Sequence, residues 1–133
     1  MKALLPGDPG RIGSYTLLGR LGEGGMGVVY LGRSPGGRTV ALKTVHRHMV
    51  DAPGFRKRFA REVRACRAVS GPGVVPVVDA DTEAPIPWLA TAYVPGPSLG
   101  EAVTEYGPLG EAALWRLLHG LVEALSAGHA AGL

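Results

Sequence analysis

The sequence predicts an α+β fold: a five-stranded, largely antiparallel sheet with one packed helix, followed by two further helices. Three observations carry that expectation. Short alternating or β-branched apolar runs recur up to residue 94, separated by turns rich in Gly and Pro. A single helical stretch interrupts them, whereas a doubly wound parallel sheet needs a helix between successive strands. Beyond residue 97 the alternation ends and apolar residues recur at spacings of three and four.

Residues 1–13 are crowded with Pro and Gly and read as a flexible lead-in. The alternation over 15–21 predicts a strand, 22–27 a glycine turn, and 28–33 a second strand, which together make a hairpin. Ser34-Pro35-Gly36-Gly37-Arg38 is a turn, and the β-branched run 39–45 is a third strand. Asp51 before Pro53 has the form of a helix start, a carboxylate cap ahead of a first-turn proline. That helix extends to about residue 70, where Gly71-Pro72-Gly73 stops it. Residues 74–80 and 88–94 form two more strands. Pro95-Gly96-Pro97 breaks the chain, and Ser98-Leu99-Gly100-Glu101 has the pattern of a capping box opening a short helix. The longest helix is expected over 111–131, with Leu114, Leu117, Leu118, Leu121, Val122 and Leu125 on one broad face and Gly132 as its C-cap.

Composition narrows the function classes. Hydrophobic residues make up 46 % and charged residues 19 % of the chain, a folded-domain balance rather than a disordered one. Cys66 is the only cysteine, so an intrachain disulfide or a thiolate zinc site is impossible. The apolar start at Ala3-Leu4-Leu5 is broken at Pro6, too early for a signal peptide, and no window spans a membrane without a charge or a breaker. A cytoplasmic domain is therefore expected; this leaves a membrane anchor further along a longer parent open. The basic run from Arg56 to Arg67 lacks interleaved aromatic platforms and contains Glu62, in a chain with 14 basic and 11 acidic residues. It reads as a solvated helix face or a docking site for an acidic partner segment, not a nucleic-acid surface.

Two segments carry chemistry. Gly22-Glu23-Gly24-Gly25-Met26-Gly27-Val28-Val29 places glycines where backbone N–H groups can approach phosphate closely. The following Val28-Val29-Tyr30-Leu31 is a strand former, so the glycines do not open the helix that a dinucleotide fingerprint requires. No Gly-Lys-Ser or Gly-Lys-Thr is present for a P-loop. The second segment is Val40-Ala41-Leu42-Lys43, in which alternation puts Ala41 and Lys43 on one face. A small Ala41 leaves room for a flat ring beside the Lys43 charge. Glu62 borders the helix face made by Phe59, Val63 and Cys66; its candidate partners are Arg58, a neighbouring arginine, or Lys43 across the helix–sheet boundary.

The order G-x-G-x-x-G-x-V, then V-A-x-K, then Arg61-Glu62 and Ala92-Tyr93-Val94-Pro95-Gly96 resembles bacterial serine/threonine protein kinases of the eukaryotic type, especially those of high-GC Gram-positive bacteria. The resemblance runs from about residue 14 to 133. It implies a lead-in at 1–13, a small lobe at 14–94, a hinge at 95–97 and the start of a large lobe at 98–133. It also implies ATP with Mg²⁺, and transfer of the γ-phosphoryl to Ser or Thr hydroxyls of protein substrates. Carried over residue by residue, it assigns Gly22, Gly24, Gly25 and Gly27 to the phosphates and pairs Lys43 with Glu62 as catalytic residues. Leu21, Val29 and Ala41 would cover the adenine ring, with Thr91 behind it. Ala92 and Val94 would meet the ring edge through their backbones. Most relatives have a glutamate at the position of Ala92, which matters little for a backbone contact.

By the same resemblance, the His-Arg-Asp catalytic segment and the Asp-Phe-Gly metal ligand lie downstream of His129-Ala130-Ala131-Gly132-Leu133. The chain itself then has no metal ligands and is expected to be inactive alone, with the leucine face of its last helix exposed or covered by a second copy in a homodimer. The competing readings are a non-catalytic nucleotide-binding or scaffold module acting through protein contacts, and a partner-binding domain without nucleotide.

Overall fold

The structure, a computed structural model, describes residues 1–132. The end of the expected large-lobe segment, Leu133, lies outside the described residues. The chain runs β1 (Arg11–Ile12), β2 (Tyr15–Glu23), β3 (Val28–Arg33), β4 (Thr39–Thr44), α1 (Arg47–Val50), α2 (Phe55–Ala68), β5 (Val77–Asp81), β6 (Trp88–Ala92), α3 (Leu99–Tyr106) and α4 (Glu111–Ala130). The strands form one sheet in the order β1-β2-β3-β4-β6-β5, and every pairing is antiparallel. All five expected strands are present, and the two-residue β1 is an addition.

Alternation along β4 sorts its side chains. Val40, Leu42 and Thr44 are buried, while Ala41 is half-buried and Lys43 exposed. Val40 and Leu42, both 0 % exposed, join Tyr15, Leu17, Val28, Tyr30, Trp88 and Ala90 in one core on the covered face. A T-shaped contact between Tyr15 and Trp88, with ring centroids 5.9 Å apart, closes that core, and the Tyr15 hydroxyl donates to Asp79 at 3.1 Å. A second cluster, Val45, Phe55, Phe59 and Val63, seats α2 on the sheet with Ala80, Ile86 and Leu89 packed against it. The Arg56 guanidinium donates to the carbonyls of Thr82, Ala84 and Pro85, tying the β5–β6 turn to α2.

The first thirteen residues are not a free lead-in. Lys2 exchanges two backbone hydrogen bonds with Arg20, at 2.9 and 2.8 Å, and the Leu17 amide donates to Gly10. Asp8, with a side chain only 6 % exposed, receives the Arg20 guanidinium at 2.7 and 2.8 Å, the Tyr30 hydroxyl at 2.9 Å and the Leu5 amide at 2.7 Å. Leu4 and Ile12 lie on the core. The Gly and Pro content of this segment shapes a strap rather than a loose tail.

That cluster sets a pH dependence. The Arg20 guanidinium, then the Leu5 N–H and the Tyr30 hydroxyl, hold the Asp8 carboxyl well below the usual carboxylate range against the opposing effect of desolvation. A carboxyl depressed on folding contributes stability in full above its unfolded pKa of about 3.9 and loses it as pH falls towards the folded value. Asp8→Asn is therefore expected to lower the thermal midpoint by a constant amount from about pH 8 to pH 5, with the gap to wild type shrinking below about pH 4. Melting curves across that range check it; equal midpoints at neutral pH would count against the strap.

Helix boundaries differ from expectation for physical reasons. Asp51 ends the single turn of α1 instead of capping α2. Gly54, with φ of 75°, is the N-cap of α2, so the break falls at Pro53-Gly54 where the chain can reverse. The ladder of β5 begins at Val77, after Pro76, which has no N–H to donate. The capping box forms as expected: Glu101 N–H donates to Ser98 Oγ at 3.1 Å and Ser98 N–H to Glu101 Oε1 at 3.3 Å. On α4 the stripe Ala113, Leu117, Gly120, Ala124 and Ala127 is half-buried, and Gly120, Ala124 and Ala127 lie close to Gly71 and Gly73. Apart from Leu117, the expected leucine face is open: Leu118 is 43 % and Leu125 63 % exposed.

Candidate functional site

The face of the sheet that α2 covers in part, at Val45 and Leu89, is open elsewhere and presents two cross-strand rows. Val29, Lys43 and Leu89 are register partners, as are Leu31, Ala41 and Thr91. Ala41, at the centre of the second row, leaves a depression between its neighbours. Leu21, Ala41, Thr91, Ala92 and Val94 line a single cavity of about 480 Å³ with the Pro95–Pro97 break at its rim. Five residues picked from separate parts of the sequence thus share one space, of a size that suits a small organic ligand. Met1 and Glu101 also line it; the sequence marked Glu101 only as a helix-capping residue and did not mark Met1.

Gly22 pairs with Val29, and the ladder ends one residue on at Glu23, opposite Val28. The turn at Gly24–Gly27 is closed by the Gly24 amide donating to the Gly27 carbonyl at 2.9 Å. A Cβ on Gly27 would collide with the Thr44 carbonyl oxygen, so only glycine allows the turn to rest against the end of β4. Around Gly22, Gly24 and Gly25 there is open space instead. The Gly25, Met26 and Gly27 amides donate no backbone hydrogen bond among the described residues. Gly25 and Met26 are exposed at the tip of the turn, whereas Gly27 is buried against the end of β4.

Lys43 projects from the open face one strand away. It makes no ion pair among the described residues, and neither does Glu62. The expected Lys43–Glu62 pair is therefore not formed here, nor is the alternative pair with Arg58. Both side chains are exposed. The cause lies in α2: its buried residues Phe55, Phe59 and Val63 share a cluster with Ala80 of β5, and Glu62 lies off that face, towards water. Water solvates the carboxylate and removes the need for a partner.

His46 was not singled out by the sequence. Its backbone N–H donates to the Met26 carbonyl at 2.7 Å, and its Nε2 lies 3.0 Å from the Gly24 carbonyl oxygen. The described residues contain no group of three His, Cys, Asp or Glu side chains arranged to hold a metal ion. No helix among them is long and apolar enough to cross a membrane.

Comparison with known proteins agrees with this architecture. The profile of the protein kinase domain matches residues 15–133. The chain is 56 % identical over 133 residues to a probable serine/threonine-protein kinase, PkwA, of Thermomonospora curvata, and 57 % identical over 126 residues to the serine/threonine-protein kinase AfsK of Streptomyces coelicolor. It covers 18 % and 16 % of those two proteins, so it corresponds to a small part of each. The crystal structure of the Mycobacterium tuberculosis PknI kinase domain superposes with a TM-score of 0.79 at 29 % identity, across 98 % of this chain and 54 % of that one. The chain belongs to the bacterial serine/threonine protein kinase domain family.

Proposed function

We propose that residues 1–133 form the ATP-binding part of a serine/threonine kinase whose whole chain transfers the γ-phosphoryl group to protein hydroxyls. The observation that carries this reading is the cavity shared by Leu21, Ala41, Thr91, Ala92 and Val94. Adenine fits between Ala41 and Leu21 with the backbone of Ala92 and Val94 at its edge. Its phosphates then extend towards the free amides of Gly25 and Met26 and the Lys43 ammonium. Val29, in register with Lys43, covers the passage between the two. Glu62 is assigned to Lys43 in an arrangement in which α2 has moved towards β4.

Bound Mg²⁺ would neutralise phosphate charge during transfer. Its ligands are assigned to the His-Arg-Asp and Asp-Phe-Gly segments of the whole kinase, and the residues of this chain are assigned to binding and orienting the nucleotide. The protein substrates belong to the whole kinase. The leucine face of α4 is assigned to contacts with the rest of the kinase domain, since the solved kinase domain is nearly twice as long as this chain.

Calorimetric titration of the 133-residue protein with ATP, and separately with Mg-ATP, tests the reading. Weak binding that depends little on Mg²⁺ is expected. Incubation with labelled ATP, Mg²⁺ and a basic protein substrate is expected to give no phosphoserine or phosphothreonine above background, because the sequence has no His-Arg-Asp or Asp-Phe-Gly. No ATP binding at millimolar concentration would reject the nucleotide site. A phosphorylation signal that scales with protein concentration would reject the division of labour.

A further inference from the structure

We propose that His46 is a positioning residue for the glycine turn: it ties down the Gly24 and Met26 carbonyls so that these two acceptors are held away from the ligand and the N–H groups of the exposed tip can face it. The inference rests on the nucleotide reading above. A turn that receives phosphate must offer donors and withhold acceptors, because a carbonyl oxygen aimed at phosphate repels it. Three of the four carbonyls of the turn, those of Gly24, Met26 and Gly27, are engaged, while the amides of the exposed Gly25 and Met26 donate no backbone hydrogen bond among the described residues. The Gly24 amide holds the Gly27 carbonyl. His46 holds the other two, Met26 through its backbone N–H and Gly24 through its ring.

Because a carbonyl only accepts, His46 Nε2 must carry a proton, which both the Nε2–H tautomer and the imidazolium provide. The ring is also held from the side: His48 stacks on it with centroids 5.6 Å apart and an interplanar angle of 15°. His46 follows Lys43 by three residues, beyond Thr44, whose carbonyl Gly27 touches and whose Oγ1 donates to the Val28 carbonyl at 3.0 Å. The same short segment therefore sets the distance between the turn and the Lys43 charge.

The test is a graded series titrated with two ligands, ATP and adenosine, with a thermal midpoint recorded for each variant. His46→Ala removes the ring donor. His46→Gln keeps a side-chain N–H. His46→Pro removes both donors, and the φ of −66° at this position suits proline. A single solvent-facing hydrogen bond is expected to change ATP affinity about three- to tenfold. His46→Ala should therefore weaken ATP by that factor, His46→Pro by more, and His46→Gln should recover most of the loss. Adenosine, which has no phosphates, should bind all four proteins equally.

Unchanged ATP affinity in both His46→Ala and His46→Pro would overturn the assignment. So would parallel losses for ATP and adenosine, which would mark a merely structural role. If His46→Pro fails to fold, the Ala and Gln pair decides by the same criterion. A wild-type protein that binds ATP no better than adenosine removes the phosphate role of the turn and this assignment with it. A wild-type preference for ATP that ignores His46 removes this assignment alone.

Discussion

Lys43→Met in the full-length kinase is expected to reduce phosphoryl transfer by about 10²–10³-fold while leaving the fold intact. Lys43 stands on the open face, exposed and without an ion pair among the described residues, so the fold loses no partner when it goes. A surface substitution of this kind changes stability by about 0.5 kcal/mol or less. Phosphate, by contrast, loses the only ammonium in register with Val29 and Leu89 beside the cavity. The two measurements must separate: a radiolabel transfer assay should collapse while the melting curve stays in place. Near wild-type transfer would reject the role given to Lys43. A collapse of both would mean that the lysine stem contributes to packing that its exposure argues against.

Leu42→Ala should do the reverse and produce the largest stability loss. Leu42 is fully buried at the centre of the sheet, on a strand hydrogen-bonded to β3 on one side and β6 on the other. Truncating such a leucine costs about 2–5 kcal/mol, because the lost transfer energy is joined by a cavity that two fixed strands cannot close. For a domain of this size that lowers the midpoint by roughly 10 °C or more. Leu31, half-buried on the open face, is the control and should lose clearly less when truncated. Midpoints from calorimetry decide. Equal losses at the two positions would mean that the faces carrying Leu42 and Leu31 do not differ in how tightly they are packed. Leu42 lies between Ala41 and Lys43, so ATP affinity should fall with stability in Leu42→Ala, whereas in Lys43→Met transfer falls alone.

Much of this was legible in the sequence. Strand alternation sorted Ala41 and Lys43 from Val40 and Leu42, because a period of two leaves no other choice. Ser98 and Glu101 announced their capping box through a fixed local spacing. The cavity residues Leu21, Ala41, Thr91, Ala92 and Val94 were reachable only through family resemblance, since their meeting depends on strand order. What escaped was long-range or conformational. Asp8 meets Arg20 and Tyr30 across twelve and twenty-two residues, and a stretch of Pro and Gly gives no periodic signal of such a contact. His46 lies where strand β4 has ended, and its bonds to Gly24 and Met26 follow from how the hairpin folds over. The Glu62 pairing depends on where α2 docks, and helix periodicity reports which face is buried but not against which strand. The leucine face of α4 shows the limit of periodicity most directly: the pattern located an apolar stripe, and the stripe that makes contact here is the small-residue one beside it.

The strap at the start of the chain has a further consequence for how this molecule behaves in company. Its bonds at Lys2, Gly10 and β1 fall on the side of β2 that faces away from β3. An unsatisfied outer strand is a template on which another chain can add, and a long strand such as β2 would be an inviting one. The strap occupies that template with residues from the same molecule. The kinase-domain match begins at residue 15, so a version trimmed to the match would strip away this covering and leave β2 bare. What is removed as an unstructured preface would then be the part that keeps one copy from growing onto the next.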